Sequence, residues 1–141
     1  MNTMIKDATS HITRGVHHVG LTVHDVEETS AFFVDVLGYK LVGRREAYPA
    51  MFVSDGATTI SLWQATNPDS AVAFDRKNVI GLHHLAIAVE NHATLESLYQ
   101  RLRVTPGVSI EFSPEQQGSG NNRHMMCSIP SGIRVEFTAP K

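Results

Sequence analysis

The sequence predicts an α+β fold made of two tandem βαβββ modules, and three features of the chain support this prediction. Residues 15–23 read Gly-Val-His-His-Val-Gly-Leu-Thr-Val, and residues 81–89 read Gly-Leu-His-His-Leu-Ala-Ile-Ala-Val. After each copy, signals for one helix and three strands follow in the same order. A polar segment without clear periodicity separates the two copies. Because an internal repeat constrains architecture more strongly than any local signal, we expect two similar modules.

The first module begins with a predicted strand over residues 16–23. Asp25 is a suitable N-cap for a helix over 26–37, and Gly38 suits the C′ position that ends it. Three further strands are predicted at 39–45, 50–53 and 58–64, with Asp55-Gly56 as the hairpin turn between the last two.

The second module repeats this order. A strand is predicted at 82–89 and a helix at 92–103, where large apolar residues recur at helical spacing. The remaining strands are predicted at 108–112, 124–129 and 133–138, with a polar, glycine-containing loop at 116–122. The resulting division has an N-terminal arm (1–14), a first module (15–64), a linker (65–80) and a second module (81–141), with 15–141 as one domain.

Composition limits the classes of partner. The 141 residues, 42% of them hydrophobic and 18% charged, are typical of one globular domain with a real core. A net charge of −2 offers no basic surface for nucleic acid, and no apolar run is long enough to cross a bilayer. Cys127 is the only cysteine, which excludes an intrachain disulfide and fits a cytoplasmic location. We therefore expect neither a nucleic-acid nor a membrane partner.

The repeated histidines suggest a metal site. Alternate residues of a strand face opposite sides. In each copy one side is bulky and apolar, and the other carries one histidine followed by small residues, namely His18, Gly20 and Thr22, and then His84, Ala86 and Ala88. The small residues leave space beside each histidine, which indicates a cavity. His17 and His83 fall in the register of the bulky side, so His18 and His84 are the candidate metal ligands.

The last predicted strand supplies a third candidate ligand. Arg134 and Glu136 alternate there with apolar residues, and a carboxylate facing an enclosed space is costly unless it is paired or metal-bound. With the two histidines, Glu136 would complete a 2-His-1-carboxylate set, which leaves metal positions open. Aligning the two modules puts Ser61 at the position of Glu136, so the matching fourth position holds a weak ligand. A structural pair of hydrogen-bonding histidines, kept by the symmetry of the repeat, explains the pattern equally well.

Four segments resemble the vicinal oxygen chelate superfamily, which includes glyoxalase I, fosfomycin-resistance thiol transferases, bleomycin-binding proteins, methylmalonyl-CoA epimerase and extradiol dioxygenases. They are His18-Val-Gly-Leu-Thr-Val-His-Asp25, Phe32-Phe-Val-Asp-Val-Leu-Gly-Tyr39, His84-Leu-Ala-Ile-Ala-Val89 and Pro130-Ser-Gly-Ile-Arg-Val-Glu-Phe137. The resemblance implies modules that curve into a half-open cup around a metal held by His18, His84 and Glu136. It also implies a homodimer in which one subunit gives His18 and its partner gives the other two ligands.

Departures from the family pattern narrow the implied reaction. Glyoxalase I and the epimerase need Glu or Gln at the position of Ser61 to move a substrate proton, and the thiol transferases carry threonine at the position of Gly20. Residues 122–137 look like a shortened form of the dioxygenase C-terminal segment. The sequence therefore favours an enzyme that uses Fe(II) or Mn(II), with Ni, Co or Zn also compatible, acts on a small chelating substrate and is most like a dioxygenase. A lactoylglutathione-lyase-like enzyme, a thiol transferase and a non-catalytic binding protein for an antibiotic or another small molecule are the alternatives.

Further side chains are candidates for substrate contact. His124 is a candidate acid or base, or a surface residue beside a loop. Tyr48 and Trp63 either line the cup or serve in packing. Ser61 faces the same space. Arg134 shares the face of Glu136 and would bind an anionic substrate group or pair with Glu136.

Overall fold

The computed structural model describes residues 10–141, and within that range the chain forms two four-stranded mixed sheets. The first sheet contains β1 (His18–Val23), β2 (Lys40–Arg45), β3 (Ala50–Ser54) and β4 (Thr59–Gln64) in the order β1-β4-β3-β2. The second contains β5 (Leu85–Ala88), β6 (Ser109–Gln116), β7 (Arg123–Ser128) and β8 (Arg134–Ala139) in the equivalent order β5-β8-β7-β6. In both sheets the first strand runs parallel to the last and the other neighbours are antiparallel. The predicted α+β class with two βαβββ modules is confirmed.

In each module the helix follows the first strand along the chain and precedes the second strand. Helix α1 (Val26–Ala31) begins at Asp25, whose Oδ1 accepts hydrogen bonds from the backbone N–H groups of Glu27 (2.9 Å) and Glu28 (3.2 Å), as the predicted N-cap requires. The helix continues over Phe32–Val36 as a π-helical turn, where regular α-helix was predicted. Helix α2 (His92–Leu102) begins at Asn91.

Strand bounds differ from the prediction most clearly near the histidine repeat and the C-terminal loop. Strand β1 begins at His18 rather than at residue 16, so His17 precedes it. Strand β5 is shorter than the predicted 82–89, so that His84 directly precedes it. Strand β6 is longer than the predicted 108–112 and continues past Pro114, which lacks an N–H group and lies within the second of two register shifts in the pairing with β7, between Phe112 and Glu115. Of the predicted N-terminal arm, residues 1–9 lie outside the described range and 10–14 contain no helix or strand.

The apolar faces of both sheets and both helices share one hydrophobic core. Leu21 and Val23 of β1 belong to it together with Leu95 of α2 and Phe137 of β8. The opposite face of each sheet is open to solvent at the small residues of the repeat, which are Gly20, Thr22, Ala86 and Ala88. The predicted alternation is therefore confirmed, and both histidine-bearing faces point away from the shared core.

Exposed hydrogen bonds also join the two modules. The hydroxyl Oγ of Ser131, after β7, accepts from the backbone N–H of His24 at 2.9 Å. Arg101 of α2 donates from Nη1 to the carbonyl of Val36 at 2.8 Å. No helix among residues 10–141 has both the length and the apolar character needed to cross a bilayer.

Glu111 of β6 links the segment between the sheets to the second sheet. Its carboxylate contacts Nη1 of Arg76 at 2.7 Å and receives a bidentate pair from Arg134, at 2.8 Å from Nε and 2.7 Å from Nη2. The hydrogen bond and charge of Arg134, and the charge of Arg76, lower the pKa of Glu111 to about 2. Two cations thus hold one carboxylate ionised.

Glu111→Gln is expected to lower the melting temperature at pH 7 by roughly 1–4 °C, because it removes both ion pairs at a partly exposed site. The folded-state pKa is lowered, so the stabilisation is present above the ordinary Glu pKa and fades as the pH falls from 4.5 towards 2. Thermal melts from pH 7 to pH 3 should show the difference between variant and wild type narrowing. A difference that stays constant over that range contradicts the assignment, and Glu46→Gln, at a more exposed ion pair, is the control.

Candidate metal centre

The two histidine pairs of the repeat adopt the same geometry. Nδ1 of His17 lies 2.9 Å from Nδ1 of His18, and Nδ1 of His83 lies 2.8 Å from Nδ1 of His84. The rings of each pair stand nearly perpendicular, at 83° and 72°. One nitrogen of each contact must carry a proton and the other must accept it. If the second histidine donates, its Nε2 is the unprotonated atom that binds metals, and the first histidine fixes its tautomer and orientation.

The side chain of Glu136, on β8, contacts the side chain of His84, which directly precedes the neighbouring strand β5. Oε1 of Glu136 lies 3.2 Å from Nε2 of His84, and only 7% of the glutamate residue is exposed. Glu136 pairs in register with Ala86 of β5, and Ser61 of β4 pairs in the same way with Gly20 of β1. The structure therefore brings two of the predicted ligands together and confirms the equivalence of Ser61 and Glu136.

His124 lies on the other side of the same carboxylate. Its Nδ1 is 2.5 Å from Oε2 of Glu136, and its ring packs against Phe112 at 5.0 Å between centroids. The interpretation of His124 as a surface residue is therefore wrong. Gln117 donates from Nε2 to the same Oε2 at 3.2 Å and accepts from the hydroxyl of Thr138 at 2.6 Å. Sequence reasoning missed this support, although Thr138 follows Glu136 by two residues on one strand face.

One chain does not assemble the whole predicted ligand set. His18 lies in β1 of the first sheet, whereas Glu136 lies in β8 of the second sheet and His84 directly precedes β5. Among the described residues, no group of three or more His, Cys, Asp or Glu side chains is arranged to hold a metal ion. Cys127 is buried in the core, which raises the pKa of its thiol to about 12 and leaves it protonated rather than a thiolate ligand.

Ser61 and two aromatic side chains lie together on the histidine face of the first sheet. Nε1 of Trp63 donates to Oγ of Ser61 at 2.9 Å, and the ring of Tyr48 stands 4.9 Å from that of Trp63. A Cβ atom at Gly20 would come within 3.1 Å of Ser61 Oγ and 3.6 Å of Trp63 Nε1. Ser61 and Trp63 therefore occupy part of the space expected beside Gly20, which itself remains exposed.

Arg134 does not pair with Glu136. Its guanidinium is held by both oxygens of Glu111, and its remaining Nη1 lies 3.5 Å from Nδ1 of His83. The predicted pairing with Glu136 is therefore wrong, because the Nε–Nη2 edge of Arg134 already binds the carboxylate of Glu111. The partner was missed because Glu111 lies two strands away in the sheet.

Known proteins resemble the chain in sequence and fold. A 2-epi-5-epi-valiolone epimerase from Actinomyces sp is 29% identical over 144 residues, covering 86% of this chain and 77% of the relative. A catechol-2,3-dioxygenase from Bacillus subtilis is 29% identical over 100 residues, covering 68% of this chain and 33% of the relative. The chain thus matches about a third of the length of that dioxygenase.

Solved structures and family models agree with this likeness. A glyoxylase/bleomycin resistance protein/dioxygenase domain from Frankia sp. superposes with a TM-score of 0.73 at 23% identity, covering 92% of this chain and 93% of that one. This structural likeness supports the fold alone. A family model described as the Glyoxalase/Bleomycin resistance protein/Dioxygenase superfamily matches residues 15–137. The chain belongs to that superfamily.

Proposed function

We propose that the chain is a divalent-metal-dependent enzyme that acts on a small substrate with two adjacent oxygens and is most like a dioxygenase. The observation that carries this proposal is the buried carboxylate of Glu136, whose Oε1 stands 3.2 Å from Nε2 of His84. An imidazole nitrogen and a carboxylate oxygen at this separation are the donors that a divalent ion prefers, so the residues fit a metal. Fe(II) and Mn(II) are favoured, with Ni, Co and Zn compatible.

A second copy of the chain would supply the third ligand. His18 and the small residues that follow it are exposed, as are Ala86 and Ala88 beside His84, while the apolar faces behind them are already covered by the shared core. We infer a C2 homodimer in which His18 of one protomer faces His84 and Glu136 of its partner. Two equivalent sites result from this symmetry.

The side chains around the ligands have separable roles in this proposal. A bound ion would supply Lewis-acid chemistry and, with Fe(II) or Mn(II), a route to O₂. His17 and His83 hold the imidazole rings of the two ligating histidines through their Nδ1 atoms. His124 and Gln117 fix the second oxygen of Glu136, which leaves Oε1 directed at His84.

His124 also retains one nitrogen for proton transfer. Its Nδ1 is engaged by Glu136, and its Nε2 lies 4.0 Å from Oε1 of Glu115. Any proton that His124 takes from or gives to a substrate therefore moves at Nε2. This assigns His124 first to positioning Glu136 and second to acid–base chemistry.

An epimerase is the second candidate, because the epimerase relative covers most of both chains. Its proton transfer would have to use Nε2 of His124, because Ser61, at the position where the family resemblance implies a Glu or Gln, offers only a hydroxyl that already accepts the indole N–H of Trp63. The same reasoning disfavours a lactoylglutathione-lyase-like activity. A thiol transferase would differ from the proposed enzyme in its substrate. A non-catalytic binding protein would differ from it in lacking the metal ion.

His84→Ala is expected to abolish stoichiometric metal binding, since it removes the nitrogen that faces Glu136. Elemental analysis of protein purified without a metal-affinity tag, followed by Mn(II) titration, measures this. The wild type should hold about one ion per chain and His11→Ala, an exposed histidine outside the strands, should match it. Wild-type protein that binds no ion under either aerobic or anaerobic handling would falsify the metal proposal.

Mixing two defective variants tests whether the site is shared. A dimer of His18→Ala with His84→Ala contains one site with all three ligands if ligands come from both protomers, and none if each site lies within a chain. Refolding an equal mixture should therefore restore roughly a quarter of the wild-type Mn(II) stoichiometry by random pairing. Each variant refolded alone should restore none, and an equally empty mixture contradicts the shared site.

The wild-type enzyme is expected not to isomerise the methylglyoxal–glutathione hemithioacetal, because Ser61 supplies no proton-transfer group. Oxygen uptake with catechol in the Fe(II)-loaded protein is the companion measurement, and His84→Ala is its control. Robust isomerisation by the wild type is the result that contradicts the role given to Ser61.

A further inference from the structure

A half-open cavity of about 310 Å³ lies between the two modules. Leu37 and Tyr39 line it from the first module, and residues of β5 and α2 line it from the second. Its wall also includes Phe137 of β8, which is buried in the shared core, whereas the neighbouring Glu136 faces the opposite side of the sheet. The cavity is therefore separate from the candidate metal centre, and its volume is at the lower end of the range for small-ligand sites.

Helix α2 presents hydrogen-bond donors to this cavity. Thr94, Ser97, Leu98 and Arg101 all line it. These positions follow the spacing i, i+3, i+4 and i+7, so they share one face of the helix. Two hydroxyls and a guanidinium, each able to donate hydrogen bonds, thus accompany one apolar side chain.

The guanidinium of Arg101 is anchored to the first module. Its Nη1 donates to the backbone carbonyl of Val36 at 2.8 Å. Val36 is the last residue of the π-helical turn Phe32–Val36, and carbonyls at a helix end lack partners within the helix. The contact therefore satisfies a helix terminus and holds the guanidinium at the edge of the cavity.

The edge of Arg101 that suits a carboxylate is not used by the protein. Within residues 10–141, Nε and Nη2 of Arg101 have no hydrogen-bonding partner. Arg134 uses the same two atoms to bind both oxygens of Glu111, at 2.8 and 2.7 Å. Because a guanidinium binds carboxylates through two parallel N–H groups, Arg101 is suited to bind a ligand carboxylate in this way.

A carboxylate in the cavity wall, that of Asp55, already has local donors. Its Oδ1 accepts from the backbone N–H groups of Thr58 and Ala57, both at 2.8 Å, and these bonds lower the pKa of Asp55. Burial, together with Asp55, raises the pKa of Tyr39 to about 12, so its hydroxyl stays protonated and can donate to Asp55. An anionic ligand is therefore repelled by Asp55 and attracted by Arg101, which favours one orientation.

We propose that this cavity binds a small monocarboxylate with a branched apolar body of roughly five carbons. The carboxylate binds the Nε–Nη2 edge of Arg101 and the hydroxyl of Ser97, and the body packs against Ile87 and Leu98, which both line the cavity. This binding site does not depend on the proposed metal chemistry, because none of these residues is a candidate metal ligand.

NMR titration tests the charge and the location of the ligand. 4-Methylpentanoate and its neutral analogue 4-methylpentanamide are titrated into protein held in EDTA and labelled with ¹³C at the Ile and Leu methyl groups. The carboxylate should bind about 5- to 30-fold more tightly than the amide, because only the carboxylate makes charged hydrogen bonds to Arg101. Intermolecular NOEs from its methyl groups to Ile87 and Leu98 should locate it in the cavity.

Arg101→Met should weaken binding of the carboxylate by about the same 5- to 30-fold and leave binding of the amide unchanged. Arg103→Met is the matched control, because Arg103 follows α2, donates to Gln100 and does not line the cavity. Ser97→Ala, which keeps the contact between Arg101 and Val36, should weaken the carboxylate by about 2- to 5-fold. Circular dichroism melts identify any variant that fails to fold.

Equal affinities of the wild type for the carboxylate and the amide overturn the inference, as does the absence of carboxylate binding up to about 10 mM. An equal loss of affinity in Arg101→Met and Arg103→Met overturns it as well. Carboxylate binding without NOEs to Ile87 or Leu98 places the ligand outside the cavity and has the same consequence. Because EDTA is present throughout, a failure of the metal proposal leaves every one of these results unchanged.

Discussion

The shared hydrophobic core is the constraint on which the arrangement of this molecule depends. Five strands, β1, β3, β4, β7 and β8, bury apolar residues in one interior that the two sheets share, with residues such as Val23 and Phe137 almost completely covered. Side-chain alternation then leaves the other faces, with His18 and His84, directed outwards. In our proposal, these two outward faces are the two halves of the metal site. Assembly of protomers, which we propose, joins those halves without disturbing the core.

The buried carboxylate of the second module, that of Glu136, has hydrogen-bonding partners at both of its oxygens. Glu136 is 7% exposed, and both of its oxygens have contacts, from His84 on one side and from His124 and Gln117 on the other. An ionised carboxylate this buried would be strongly unfavourable without such contacts. The same contacts restrict the direction of Oε1. The contacts that make the burial of Glu136 tolerable therefore also orient its Oε1 towards His84, where we propose that the metal binds.

The two modules share a backbone plan but use the equivalent position differently. Glu136 in the second module is a charged group held by hydrogen-bond donors, whereas Ser61 in the first module is a small acceptor held against an indole. On this face of the first module, Trp63 lies beside Gly20 and Phe52 lies beside Gly43. Divergence of the repeat thus leaves the proposed site with a carboxylate ligand from the second module only, whereas each module supplies one histidine.

Periodicity, turn residues and the internal repeat determine, by themselves, the two βαβββ modules, the cap at Asp25 and the faces of β1 and β8, because these features depend on neighbours along the chain. The same patterns predicted His84 and Glu136 as neighbours, through strand register. Only the tertiary structure decided the partners of His124 and Arg134, the extension of β6 past Pro114 and the partial filling of the space beside Gly20. Those outcomes depend on which side chains meet across strands and at bulges. Spacing along one chain does not contain that information.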